Sequence, residues 1–147
     1  MREILFRGQT SSGKWVEGSL HIEYGETTKD GKRNTDYRIL GMRGECRYII
    51  PETVGQYTGL TDKNGKKIFE GDIVKGRHWT SYTNKNPEEY HLWLVDWSER
   101  SGLITFTCSP TSSAILSIHD FADLSEIEVI GNIHDNPELL KGGADND

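Results

Sequence analysis

The sequence predicts a mainly β protein on three observations. Apolar and polar residues alternate with period two, glycine-bearing turn signals separate the alternating runs, and helical patterning is scarce. The chain has 147 residues, 34% hydrophobic and 27% charged, with 16 glycines and 4 prolines. That length suits one domain, or one domain with a small subdomain, and allows a core to be buried without cross-links. Basic side chains number 17 and acidic ones 23, a net charge of −6. Such a balance argues against indiscriminate binding to nucleic acid or anionic lipid.

Taken in order, the opening residues 1–7 lack the apolar run of a signal peptide and carry Glu3. Residues 16–24 alternate most clearly. Val16, Gly18, Leu20, Ile22 and Tyr24 share one strand face, while Glu17, Ser19, His21 and Glu23 share the other. Shorter runs of this kind follow at 37–40, 46–50, 72–79, 90–97, 103–107 and 126–133. The run 90–97 carries Leu92 and Leu94 on one face and Trp93, Val95 and Trp97 on the other, as expected of a central strand covered on both sides. Ser12-Gly13, Asp30-Gly31, Asn64-Gly65 and Ser101-Gly102 place glycine where hairpins reverse.

Residues 25–34, charged and without apolar side chains, read as a mobile loop insertion, and residues 80–89 as a second. Residues 120–125 offer a single helical turn. Asp135-Asn136-Pro137-Glu138 offers a cap, a proline at the first helical position and an acid in the first turn. The Gly- and Asp-rich residues 142–147 then read as a disordered tail. The longest aliphatic-aromatic run, Leu92 to Val95, is far short of the roughly 20 residues of a membrane helix, so no membrane association is expected.

Several chemistries lack their residues. Cys46 and Cys108 stand alone, too few for a disulfide framework or a zinc site, and read as reduced thiols of a cytoplasmic protein, with one long-range disulfide as the alternative. Gly8-Gln9-Thr10-Ser11-Ser12-Gly13-Lys14 matches a phosphate-binding loop up to its last position. That position needs Ser or Thr for Mg²⁺, and the chain has Trp15 there. A strand follows where a helix should, so the segment reads as a hairpin turn. His119-Asp120 and His134-Asp135 pair imidazole with carboxylate, but without metal-site spacing they read as surface or turn residues. No nucleophile elbow occurs, and the carboxylates lie on solvated faces, as Glu17 with Glu23 and Glu126 with Glu128. No catalytic residue, metal or cofactor is expected. A small enzyme of unrecognised type is the weakest alternative.

A basic-aromatic constellation is the candidate binding surface. Lys63, Lys66 and Lys67 flank the Asn64-Gly65 turn, Lys75, Arg77 and Trp79 share a strand face, and Trp93 and Trp97 share another. Brought together, Lys63, Lys66, Lys67, Arg77, Trp79, Trp93 and Trp97 would form a stacking platform with phosphate-neutralising edges. Asp62, Glu70 and Asp72 sit among these lysines and blunt the field. The plainer reading is a charged hairpin tip, with the tryptophans in a core or an oligomer interface.

Gln56-Tyr57-Thr58-Gly59-Leu60-Thr61-Asp62-Lys63-Asn64-Gly65-Lys66-Lys67-Ile68-Phe69-Glu70-Gly71-Asp72-Ile73-Val74 resembles the signature of the YopX family, small proteins of bacteriophages, prophages and their hosts. Residues 2–7 resemble the family's opening strand, and residues 127–140 its closing block, in family order. The resemblance implies a mainly β fold, with an N-terminal β region over 1–58 and a C-terminal barrel-like region over 59–134. A short helix and tail occupy 135–147. It also implies self-association as a homo-oligomer and supplies no catalytic residue. Within the signature, Glu70-Gly71-Asp72 launches the strand Ile73-Val74 as in small SH3-like barrels, where glycine permits the sharp entry and the acid ties down loop amides. The block therefore reads as fold-determining. The leading functional expectation is a non-enzymatic, self-associating protein-interaction module of a phage or prophage, with an unidentified protein partner. A nucleic-acid-binding accessory protein is the alternative.

Overall fold

Four hairpins of the chain reverse through the same five-residue turn. In Thr10–Lys14, Thr28–Lys32, Gly41–Glu45 and Asp62–Lys66, the first amide donates to the fifth carbonyl, and the fourth residue, glycine, donates its amide to the first carbonyl. Gly13, Gly31, Gly44 and Gly65 have φ between +78° and +88°. This is a type I turn closed by a left-handed residue, whose geometry suits the twist of the flanking strands. No described non-glycine residue has positive φ, so Asn64-Gly65 is not the two-residue mirror-image turn that this dipeptide often makes.

The computed structural model describes residues 3–77, 90–108, 115–116 and 126–141. It is mainly β, with two antiparallel sheets and one short helix among these residues. The chain divides into two compact units, Met1–Tyr57 and Thr58–Asp147, each with its own apolar core.

In the first unit, β1 (Phe6–Gln9), β2 (Trp15–Thr27), β3 (Arg33–Gly41), β4 (Cys46–Tyr48) and the start of β5 (Gly55–Thr61) lie in the order β4-β3-β2-β1-β5. A 3-10 turn, Pro51–Thr53, leads into β5. The alternation of β2 sets its faces. Val16 and Gly18 are buried, Leu20 and Ile22 half-buried, and Glu17, Ser19, His21 and Glu23 exposed. Burial fades toward Tyr24 as the β2–β3 ribbon extends away from the core of Val16, Ile39 and Ile49. Residues 25–34 are not a loop insertion. β2 runs to Thr27 and pairs with Arg33, past one irregularity after Tyr24, leaving only the turn outside the ladder. Backbone pairing there needs no apolar side chain, which is why the apolar pattern missed it. Gly18 faces Gly41 across the ladder, and a Cβ at Gly18 would overlap the Leu40 carbonyl.

In the second unit the end of β5 lies beside β6 (Lys67–Phe69). A five-stranded sheet follows, made of β7 (Asp72–Gly76), β8 (His91–Ser98), β9 (Leu103–Cys108), β10 (Ile115–Leu116) and β11 (Glu128–Asn132), in the order β10-β9-β8-β7-β11. These ladders form a meander with β11 added at the β7 edge; they do not by themselves define an SH3-like barrel. Ile68, Val74, Trp93, Val95, Phe106 and Ile127 make the core. On β8, Trp93 and Val95 are buried while Leu92 and Leu94 are half-buried. Asn132 accepts the amides of His134 and Asp135 on its Oδ1, and α1 (Glu138–Lys141) starts directly after Pro137. The expected helical turn at 120–125, the second loop at 80–89 and the tail at 142–147 lie outside the described residues.

Candidate functional site

The buried polar side chains of the signature segment, Thr58, Asp62 and Asp72, are bonded to backbone. Asp62 is buried, and its Oδ1 accepts the amides of Asn64 (2.8 Å) and Lys66 (2.9 Å) while its Oδ2 accepts that of Val129 (3.0 Å). One carboxylate thus fixes the turn and joins it to β11. Lys63 reinforces the joint, with its amide on the Ile127 carbonyl (2.8 Å) and its ammonium 3.1 Å from Glu128. Burial pushes the Asp62 carboxyl up. The amides of Val129, Lys66 and Asn64 and the Lys66 charge outweigh that, and hold it below the ordinary carboxylate range. The fully buried Asp72 accepts the Phe69 amide on Oδ2 (2.8 Å). Gly71 links strands on either side, donating to the Val95 carbonyl (2.7 Å) and accepting from Ile133 (2.8 Å). Thr58 donates its hydroxyl to the Ile68 carbonyl and accepts the Leu60 amide.

The basic-aromatic constellation is divided by the fold. Trp93 is 1% exposed, with its indole N–H on the Gly76 carbonyl (3.2 Å), so it has no ring face to offer a base. Trp97, on the same strand, is 47% exposed. Arg77 is paired with Glu126, at 2.9 Å from Nε and 2.5 Å from Nη2, and the Tyr90 ring lies 5.2 Å from its guanidinium. Lys75 reaches the same ring at 5.2 Å. Lys63 is paired with Glu128, Lys66 is exposed at the turn and Lys67 is half-buried. Trp79 lies outside the described residues. Two of the candidate cations are therefore neutralised by acids of β11 or its approach. Glu126 and Glu128 are distant in sequence, so spacing alone did not reveal the pairs.

His134-Asp135 sits in the turn held by Asn132, and His119-Asp120 lies outside the described residues. Among the described residues, no group of three His, Cys, Asp or Glu side chains could hold a metal ion. Cys46 is an exposed free thiol.

A groove that the sequence did not reveal lies in the first unit. The turns Thr10–Lys14 and Gly41–Glu45 fall at the same end of the sheet, on either side of the start of β2. Between them is a cavity of about 290 Å³, bounded by Lys14, Trp15, Glu17, Met42, Arg43 and Arg47. Its indole is backed by the buried Arg7, whose guanidinium carbon is 4.8 Å from the Trp15 ring centroid. Met42 is 81% exposed at the rim. Among the described residues, Lys14, Arg43 and Arg47 make no ion pair, unlike Arg38 with Glu23, Lys63 with Glu128 and Arg77 with Glu126. Only strand register brings these residues together, and the single sequence signal is that Lys14 and Arg43 fall in turns.

Fold and site together define a class: a two-unit protein, antiparallel β among the described residues, whose longest sequence signature is a structural clamp. The chain belongs to the YopX family, whose description, YopX protein, matches residues 5–141. It is similar to the crystal structure of protein EF1440 from Enterococcus faecalis, with a TM-score of 0.51 and 22% identity over 95% of this chain and 99% of that one. At that identity the likeness shows the fold. No curated protein matches the chain.

Proposed function

We propose that the chain is a non-enzymatic protein-interaction module of a phage or prophage that self-associates in the bacterial cytoplasm. One observation carries this reading: Leu40 and Tyr48 stand exposed on the outward face of β3 and β4, beside Arg38 and Cys46, where the sheet ends. Leu40 is 51% and Tyr48 64% exposed, and register places Leu40 opposite Cys46 and Arg38 opposite Tyr48, so one face runs across both strands. β4 is the last strand of this sheet among the described residues. An edge strand beside exposed apolar side chains is a surface that a second copy can extend. The family's occurrence in phages and prophages supports the biological setting. No described helix is long and apolar enough to cross a membrane. The ion pairs of Lys63 and Arg77 weigh against the nucleic-acid alternative.

Light scattering after size exclusion tests the self-association. The expected mass is a multiple of the 16.7 kDa chain. The double substitution Leu40→Glu, Tyr48→Glu should return it to one chain with an unchanged far-ultraviolet spectrum. A single-chain mass for the unsubstituted protein at high concentration overturns the reading.

A further inference from the structure

We propose that the groove at the start of β2 binds a short acidic peptide segment, its carboxylates held by Lys14, Arg43 and Arg47 and an apolar side chain seated on Trp15 and Met42. Lys14, Arg43 and Arg47 converge on one concavity and have no acidic partner among the described residues. The first unit has nine Lys and Arg against eight Asp and Glu, so this focus comes from placement and not from an excess of base. Cations gathered at a concave site raise the local concentration of anionic groups. Trp15 is a preorganised anchor, because the Arg7 guanidinium 4.8 Å behind it restrains the ring before any ligand arrives. Met42 adds an adaptable apolar contact at the rim.

Two features favour a peptide over a nucleic-acid strand. A cavity of about 290 Å³ accommodates one or two side chains, not a track of nucleotides. Glu17 and Glu45 also line it between the cations, and they can accept the amide hydrogens of a peptide backbone, donors that a sugar-phosphate backbone lacks.

Fluorescence anisotropy of the full chain tests the proposal with three labelled probes: a hexapeptide of four glutamates with one phenylalanine and one leucine, its lysine-for-glutamate counterpart, and a six-nucleotide oligothymidylate. The acidic peptide should bind, with affinity falling as salt rises from about 50 mM to about 500 mM. Neither other probe should bind comparably. Arg43→Glu with Arg47→Glu, both exposed positions, should weaken binding by at least about tenfold. Trp15→Phe, which keeps a ring over Arg7, should weaken it less. Equal binding of the basic peptide, tighter binding of the oligonucleotide, or less than about a twofold loss in the double variant overturns the proposal. If that variant instead lowers the mass seen by light scattering and no peptide binds, the groove is a contact between copies and the proposal also fails. Leu40→Asn with Tyr48→Asn, which add no charge beside the groove, should separate the copies and leave peptide binding intact, so this result and the self-association stand or fall separately.

Discussion

Asp62 shows how a residue's neighbours in space can reverse the role its neighbours in sequence suggest. Among lysines 63, 66 and 67 it reads as a charge that blunts a basic patch, yet its two oxygens accept three amides. Asp62→Ala leaves those donors without their acceptor and should destabilise the second unit by about 2–4 kcal/mol in urea unfolding. Asp62→Asn keeps one oxygen for the turn but sets an amide group against the Val129 N–H, so it should also destabilise. The pH dependence follows from the lowered carboxyl. A group depressed in the folded state contributes stability above its unfolded value, near about 4, and loses it as pH falls through the lower folded value. The gap between the natural chain and Asp62→Asn should therefore be full at neutral pH and shrink below about pH 4. A gap that grows on acidification would contradict this assignment. Asp72, by contrast, was legible: the Gly-Asp pair predicts an acid holding loop amides, and it accepts that of Phe69. Asp62 was not, because Val129 lies far along the chain.

At the scale of elements, legibility depended on whether the signal was local. The turns depend on a glycine at a fixed offset, so all four glycine dipeptides fall at reversals, including Gly102, whose φ is +68°. The extended β2–β3 ribbon, held by backbone pairing between charged and polar residues, gave no apolar pattern to read. The groove gave none either, since β2 residues meet the β3–β4 turn only through register. Two glycine substitutions separate conformation from space. Gly65→Ala, at φ +78° with nothing nearby for a Cβ to meet, should cost about 1–2 kcal/mol. Gly18→Ala has an ordinary backbone but drives a methyl into the Leu40 carbonyl, so its loss should exceed that of Gly65→Ala and open the β2–β3 ladder. Thermal unfolding of both variants, with amide exchange across β2 and β3, checks the order.

Over the whole molecule, the net charge of −6 is unevenly shared. The first unit is nearly balanced, whereas the second has eight Lys and Arg against fifteen Asp and Glu. A single net charge conceals that division. The cores differ as well. The first gathers Val16, Ile39 and Ile49, and the second gathers Ile68, Val74, Trp93, Val95, Phe106 and Ile127. Trp93→Ala should cost about 3–5 kcal/mol. In native-state hydrogen exchange, the amides of Val74 and Trp93 should be among the slowest and those of β2 beyond Tyr24 among the fastest. Rapid exchange throughout β7 and β8 would show that burial there does not govern stability.

The strand order of the first unit also bears on how it assembles. Three of its ladders join neighbours in sequence through five-residue turns, and such hairpins form within microseconds. The fourth pairs Phe6 with Gln56 and must close nearly the whole unit at once. That closure carries the largest loop entropy, so it should set the folding rate of this unit. Substitutions at the β1–β5 seam should then slow refolding, whereas lesions at the Thr28–Lys32 turn should chiefly speed unfolding.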